Sequence, residues 1–185
     1  RVTATVRARF GIREQVHLYS PEELTAIVQR GAGVLKVNID DEAAKEIGLR
    51  SRGTPRVALR LLRRVRDVAE VKRAEQVRLE LARYALDMLG IDEQGLDEGD
   101  RKLLRALLEV YEGGPTGLTT LAAALNEDAQ TIEDIYEPYL LQKGLLERTP
   151  RGRKATRHTW EYMGLQPSQK FVQAQQSLFD GEDDA

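Results

Sequence analysis

The sequence predicts a mainly α-helical chain built as two small modules: a bundle of four helices, then three helices closed by a β-hairpin and one short helix. Three observations lead there. Apolar residues recur at helical spacing through most of the 185 residues. Capping residues, prolines and glycines cut that pattern into short runs with short joints. Near the C-terminal end, two short extended runs flank a Pro/Gly tip instead of continuing the helical pattern.

The elements follow in order. Ser20-Pro21-Glu22-Glu23 is a helix start: Ser20 can cap, Pro21 suits the first turn, and Glu23 completes a capping box. Leu24, Ile27, Val28 and Leu35 give the stripe of this first helix. A second helix is expected over 41–50, with Ala43, Ala44 and Ile47 inward. Gly53 breaks the chain, and Thr54-Pro55 restarts it, Thr54 as cap. Val57, Leu61, Leu62, Val65 and Val68 form the buried stripe of the third helix. A fourth helix is expected over 75–89, with Val77, Leu81, Leu86 and Leu89 as core. Four helices with short joints make a small bundle. The acidic stretch 90–99, with three glycines, reads as a linker. Helices over 100–111, 118–125 and 129–142 follow. Strands over 145–148 and 153–156 surround Thr149-Pro150-Arg151-Gly152, and a last helix covers 157–163. Three helices closed by a hairpin is the winged-helix order, a helix-turn-helix variant. The tail from Pro167, polar and then acidic, is expected to be disordered.

Composition excludes several classes of function. Charged residues make up 31% of the chain but nearly cancel, for a net charge of −2. Nucleic-acid binding therefore needs a local cluster. There is no cysteine, and His17 and His158 stand alone, so neither a disulfide frame nor a thiolate or histidine metal site is expected. No apolar run approaches the ~20 residues of a membrane span, and the start has no signal-peptide pattern. A cytoplasmic location is expected. No GxxxxGK[ST] loop, catalytic triad order or zinc spacing occurs, so these 185 residues are not expected to hydrolyse ATP alone. The first residue is not Met, which suggests a piece of a longer chain.

Charge is concentrated in two places. Between positions 148 and 157 stand Arg148, Arg151, Arg153, Lys154 and Arg157, five cations in ten residues with no acid among them. On a protruding hairpin such a cluster suits DNA phosphates; the plain alternative is a solvated loop. The expected third helix of this module is acidic, with Asp128, Glu133, Asp134 and Glu137. Phosphate repulsion opposes laying it in a groove, so the hairpin is the expected DNA contact. The second cluster is Arg50, Arg52, Arg56, Arg60, Arg63, Arg64 and Arg66, seven arginines in seventeen residues. Arg56 differs from the rest. It sits in the first turn of a helix, where amide groups and the helix dipole favour an anion. The alternative for Arg56 is an ion pair with Glu46 or another local carboxylate. Arg7-Ala8-Arg9-Phe10-Gly11 adds a short basic-aromatic stretch.

Gly53-Thr54-Pro55-Arg56 continuing to Asp67, Ala85-Leu86-Asp87-Met88-Leu89, Asp100-Arg101-Lys102-Leu103-Leu104, Thr131-Ile132-Glu133-Asp134, Glu137-Pro138-Tyr139-Leu140 and Arg148-Thr149-Pro150-Arg151-Gly152-Arg153 together resemble the RuvB family of AAA+ ATPases. The resemblance covers roughly residues 1–167. It implies a helical AAA+ lid followed by a winged helix, with 1–18 as the end of the ATPase core, 19–90 as lid, 91–99 as linker, 100–166 as winged helix and 167–185 as tail. It implies the lid and DNA-binding portion of a hexameric ring on duplex DNA at Holliday junctions. That ring drives ATP-dependent branch migration in recombination and repair, together with RuvA and with RuvC as resolvase. ATP or ADP with magnesium would bind the longer protein and not this chain alone. By resemblance Arg56 and Tyr19 face the nucleotide. Arg9, with Arg7 as the alternative, is supplied to a neighbouring subunit's ATP, where an arginine finger stabilises charge on the transferring phosphoryl group. Arg148, Arg153 and Arg151 contact DNA. The alternative function is a stand-alone winged-helix regulator, which would be expected to carry a basic third helix.

Overall fold

The computed structural model describes residues 17–169, 171 and 172. The chain divides into two compact units between Leu86 and Asp87.

The first unit is helical. Helix α1 (Pro21–Leu35) starts with the expected capping box: the Ser20 hydroxyl accepts from the Glu23 amide at 3.2 Å, and the Glu23 carboxylate accepts from the Ser20 amide at 2.8 Å. Helix α2 (Asp41–Leu49) is capped by Asp40, which accepts from the Ala43 amide at 2.7 Å. Helix α3 (Pro55–Val71) and helix α4 (Leu79–Met88) complete the set. Leu24, Val28, Ile47, Leu61, Leu62, Val65 and Leu86 are buried, as the helical stripes require. Helix α4 starts at Leu79, four residues later than expected. The backbone around Val77 is engaged elsewhere: Val77 donates to the Asn38 carbonyl at 2.8 Å and accepts from the Asp40 amide at 3.0 Å. Ala82, Ala85 and Leu86 form its buried face, and Leu89, expected in the core, is 40% exposed.

In the second unit, helix α5 (Glu98–Arg105) starts at Asp97 with a capping box to Asp100 and continues through a π-helical turn, Ala106–Val110. Helix α6 (Leu118–Leu125) follows. Helix α7 (Ala129–Thr131) runs through a second π-helical turn, Ile132–Tyr136, into helix α8 (Glu137–Gln142). Strands β1 (Leu146–Thr149) and β2 (Gly152–Ala155) pair antiparallel, with Arg148 opposite Arg153 and Thr149 opposite Gly152. Thr116 adds an isolated antiparallel bridge to the hairpin, exchanging hydrogen bonds of 2.8 and 2.7 Å with the Arg153 backbone. Gly152 permits this approach. Its φ is +132°, and a Cβ there would lie 2.3 Å from the Thr116 carbonyl oxygen. Helix α9 (Arg157–Tyr162) closes the module. Leu103, Leu104, Leu107, Leu121, Ile132 and Leu140 are its fully buried centre.

The stretch 91–99, expected as the linker, is held by specific contacts within the second unit. Leu96 is fully buried in the second core, and Asp92 accepts from the Gln94 and Leu96 amides, both at 2.9 Å. Arg101 donates to the carbonyls of Leu96 and Gly90, both at 2.8 Å, and the Tyr162 hydroxyl donates to Asp92. Burial and that bond raise the Tyr162 pKa well above the usual phenol value. The polar, glycine-rich composition concealed one leucine and a set of backbone-directed bonds. Of the tail, residues 167–169, 171 and 172 are described. Phe171 is buried, with its ring centroid 5.8 Å from that of Trp160, and its amide donates to the Ser168 hydroxyl at 3.1 Å.

Candidate nucleotide-facing turn and nucleic-acid interface

The first cluster of interest is the turn before α3. Gly53 takes φ +68°, and a Cβ there would lie 2.8 Å from the Cβ of Leu18. The chain at Leu18–Tyr19 thus lies directly on the turn, and the Tyr19 amide donates to the Gly53 carbonyl at 3.0 Å. Tyr19 is 45% exposed. The structure therefore brings Tyr19 beside Gly53-Thr54-Pro55-Arg56.

Thr54 occupies the N-cap position but does not cap as expected. Its hydroxyl donates to the Arg52 carbonyl at 3.2 Å, and no side-chain cap bond forms at this helix end. Pro55 has no N–H to satisfy. The first-turn amides of Arg56 and Val57 thus remain without a side-chain acceptor among the described residues, at the positive end of a helix dipole.

Arg56 is exposed on that turn and makes no ion pair with a described residue. Glu46, its alternative ion-pair partner, is taken. Arg50 grips it with Nε at 2.9 Å and Nη2 at 2.7 Å, both side chains being buried, and Arg83 approaches it at 3.4 Å. Further along α3, Arg66 pairs with Asp67 and Glu70, and Arg64 with Asp67. The arginine cluster therefore sorts into a buried structural arginine, Arg50, surface pairs at Arg64 and Arg66, and the exposed Arg56, Arg60 and Arg63 with no ion pair to a described residue, of which Arg56 lies in the first turn. Arg7 and Arg9 lie outside the described residues.

The second cluster is the hairpin. The run 148–157 carries no acid and β1 carries Glu147, opposite Lys154, but the acid that holds the arginines comes from another helix. Glu137, the first residue of α8, is fully buried. One carboxylate oxygen, Oε1, accepts from Arg153 Nε at 2.5 Å; the other, Oε2, accepts from Arg148 Nε at 2.6 Å and lies in ion-pair contact with Arg148 Nη2 at 2.5 Å. Glu133 adds a longer contact to Arg148 at 3.7 Å. The expectation that all wing cations stand open to a polyanion is corrected for these two. Arg153 is largely enclosed, at 16% side-chain exposure, while Arg148 keeps 35%.

The physical reason lies in the register. Arg148 and Arg153 are directly opposite on one face of the hairpin, where like charges repel. A carboxylate between them turns repulsion into a charge-assisted bridge. The bridge in turn satisfies an acid that could not otherwise be buried. The three side chains together carry a net single positive charge.

Arg151 behaves differently. It sits at the tip between β1 and β2, is exposed, and has no ion pair with a described residue. Arg157 is also exposed, with a 3.3 Å surface contact to Glu161. Lys154 Nζ lies 5.5 Å from the Phe171 ring centroid. On the preceding helix Asp134 is exposed and Glu133 lies beside Arg148. The acidic helix is thus partly a counter-charge for the wing.

Sequence reasoning missed Glu137 as the partner of the hairpin, because the contact joins positions 11 and 16 residues apart. The signal available was the register itself: a two-residue tip places Arg148 against Arg153. Glu46 and Arg50 stand at the i, i+4 spacing that favours pairing, and that signal was readable.

Comparison with known proteins decides the family. Two family models match in tandem: the RuvB AAA lid domain over residues 19–92, and the RuvB C-terminal winged helix domain over 93–164. The chain belongs to the RuvB family. Among curated relatives, the Holliday junction branch migration complex subunit RuvB of Ligilactobacillus salivarius (strain UCC118) is 51% identical over 164 residues, 89% of this chain and 49% of the relative. The RuvB subunit of Chloroflexus aurantiacus (strain ATCC 29366 / DSM 635 / J-10-fl) is 55% identical over 164 residues, 89% of this chain and 47% of that protein. Among solved structures, the Thermotoga maritima RuvB Holliday junction branch migration motor superposes with a TM-score of 0.84 at 44% identity, covering 89% of this chain and 55% of that one. The chain thus spans about half the length of the RuvB relatives it matches. The mainly helical lid and the winged helix expected from the sequence are the architecture observed.

Proposed function

We propose that this chain is the lid and DNA-binding portion of a RuvB-type hexameric motor that drives ATP-dependent branch migration of Holliday junctions. The tandem of lid and winged helix, in that order and in one RuvB-family chain, is the observation that carries the reading. The wing hairpin contacts duplex DNA through phosphates. Arg151 at the tip and the outer edge of Arg148 make that contact; Arg153 acts mainly through its bond to Glu137. Such contact is largely indifferent to base sequence, because it reads the backbone and not the base edges.

The turn at Gly53–Arg56 fits a nucleotide phosphate. It offers uncapped first-turn amides, a helix dipole and a guanidinium that no described carboxylate holds. Arg56 and the Tyr19 ring would hold ATP or ADP from the lid side. When bound, the nucleotide with magnesium supplies the free energy of phosphoryl transfer. The residues of this chain bind and orient it. Arg9, or Arg7, serves a neighbouring subunit's nucleotide in trans. RuvA and RuvC are the partners of such a ring, and the cytoplasm is its location. The alternative, a stand-alone winged-helix regulator, would lay 129–142 in the major groove, and the acids on that helix oppose it.

A salt titration of duplex binding by this chain tests the reading. Affinity is expected to fall linearly in log–log form, with a slope of about −0.9 for each phosphate neutralised. Binding that is indifferent to salt would overturn a phosphate-led contact.

A further inference from the structure

Glu137 presents a paradox for a DNA-binding wing. It is a carboxylate placed at the base of the surface that should meet a polyanion. It is also fully buried, and it touches both members of the Arg148–Arg153 cross-strand pair. Two roles are conceivable. It could mask the arginines, giving them up when DNA arrives. Or it could hold them while their remaining N–H groups meet DNA.

Burial decides between these. A masking acid must be able to stand alone once its arginines leave. Glu137 has no solvent access, and its hydrogen bonds to described side chains are those to Arg148 and Arg153. Releasing them would leave an uncompensated charge in the interior, which is strongly unfavourable. The bonding pattern agrees. Glu137 takes the Nε of both arginines and one Nη of Arg148. Arg148 retains partial exposure, and a guanidinium has five N–H donors in a rigid fork. Fixing the Nε edge therefore fixes the direction of the donors left over, at little further cost in side-chain freedom.

We infer that Glu137 is a positioning residue for the DNA contact: it holds the Arg148 and Arg153 guanidiniums in register so that the outer donors of Arg148 form a preset phosphate site beside Arg151. This rests on the proposal that the wing binds duplex DNA. Its consequence runs against simple Coulomb expectation. Removing a negative charge near DNA should tighten binding; removing this one should weaken it.

The experiment compares the chain and Glu137→Gln on a short duplex across a salt series, with Trp160 fluorescence as a check on folding. Glu137→Gln is expected to bind about tenfold more weakly, with a salt slope shallower by about 1–2, as one or two phosphate contacts are lost. Equal or tighter binding by the variant would overturn the inference. Glu137→Asp keeps the charge and withdraws it by one methylene. It should also bind more weakly at unchanged net charge, and unchanged affinity would overturn the inference even if Glu137→Gln fails to fold. In a double-mutant cycle with Arg148→Ala, the two losses should be non-additive, and additive losses would count against action through Arg148. Failure of the unaltered chain to bind duplex at low salt would instead overturn the DNA-binding proposal, and this positioning role with it.

Discussion

Glu46 in the first unit and Glu137 in the second are both acids withdrawn from solvent that hold arginines, yet they are built differently. Glu46 grips Arg50 within one helical register, four residues apart, and Arg50 is itself only 2% exposed. The pair is closed. Glu137 joins two arginines from both strands of a hairpin, and one of them remains about a third exposed. That cluster carries an excess positive charge and a face to solvent. The difference teaches that an arginine-rich segment must be sorted by its partners before its function is read. Where the short bonds of an acid all go to one buried arginine, as at Glu46, the charge is consumed in stability. Placing one acid between two arginines leaves charge over and fixes where it points.

The comparison can be broken first at its structural core. Arg148→Ala with Arg153→Ala leaves Glu137 buried without either guanidinium, and the second unit should lose about 3–5 kcal/mol. The only tryptophan, Trp160, sits in that unit, so denaturant unfolding followed by its fluorescence reads the loss directly. An unchanged midpoint would show that the cluster is not the buried ion triad described. Glu46→Ala removes two charge-assisted bonds from Arg50 and should cost the first unit about 2–3 kcal/mol, read by far-ultraviolet circular dichroism, with duplex binding untouched. Loss of duplex binding in that variant would erase the distinction between the two acids. Arg151→Ala sharpens the contrast: stability should stay within about 0.5 kcal/mol while the salt slope of duplex binding becomes shallower by about 0.9. The smallest effect is expected from Arg56→Ala, which should leave the stability of this chain unchanged within about 0.5 kcal/mol. In a longer protein containing a phosphate-binding loop it should weaken the response to nucleotide. A large loss of stability from Arg56→Ala would mean that the first-turn arginine is structural after all.

Much of the architecture was legible because helix boundaries are set by local chemistry. Ser20 with Glu23 and Gly53 before Thr54-Pro55 mark their turns without help from distant residues. The hairpin was legible from its Pro/Gly tip. What escaped was set by tertiary contact. Val77 reads as helical, but its backbone is claimed by Asn38 and Asp40. Leu96 and Phe171 lie in largely polar stretches, and only the fold shows that both are buried in the second core. For the candidate site, Arg56 is exposed and the Tyr19 amide bonds to the Gly53 carbonyl three residues before it, while the nucleotide role implied by the motif stays a proposal. The Arg148–Glu137–Arg153 bridge does not follow from the local sequence. A count of charges along ten residues cannot register an acid arriving from another helix, and that acid changes the role of two of the three arginines proposed for DNA.

The central claim is that the hairpin meets duplex DNA with the Glu137 bridge closed. Side-chain nitrogen NMR of labelled arginines, recorded as a short duplex is added, observes both halves of that claim at once. The account expects the Arg151 signals and the outer guanidinium signals of Arg148 to shift, while the Nε–H signals of Arg148 and Arg153 keep their positions. Contradiction would be Nε–H signals of both arginines moving to those of solvated guanidiniums as duplex binds, or duplex binding that leaves every hairpin arginine unmoved.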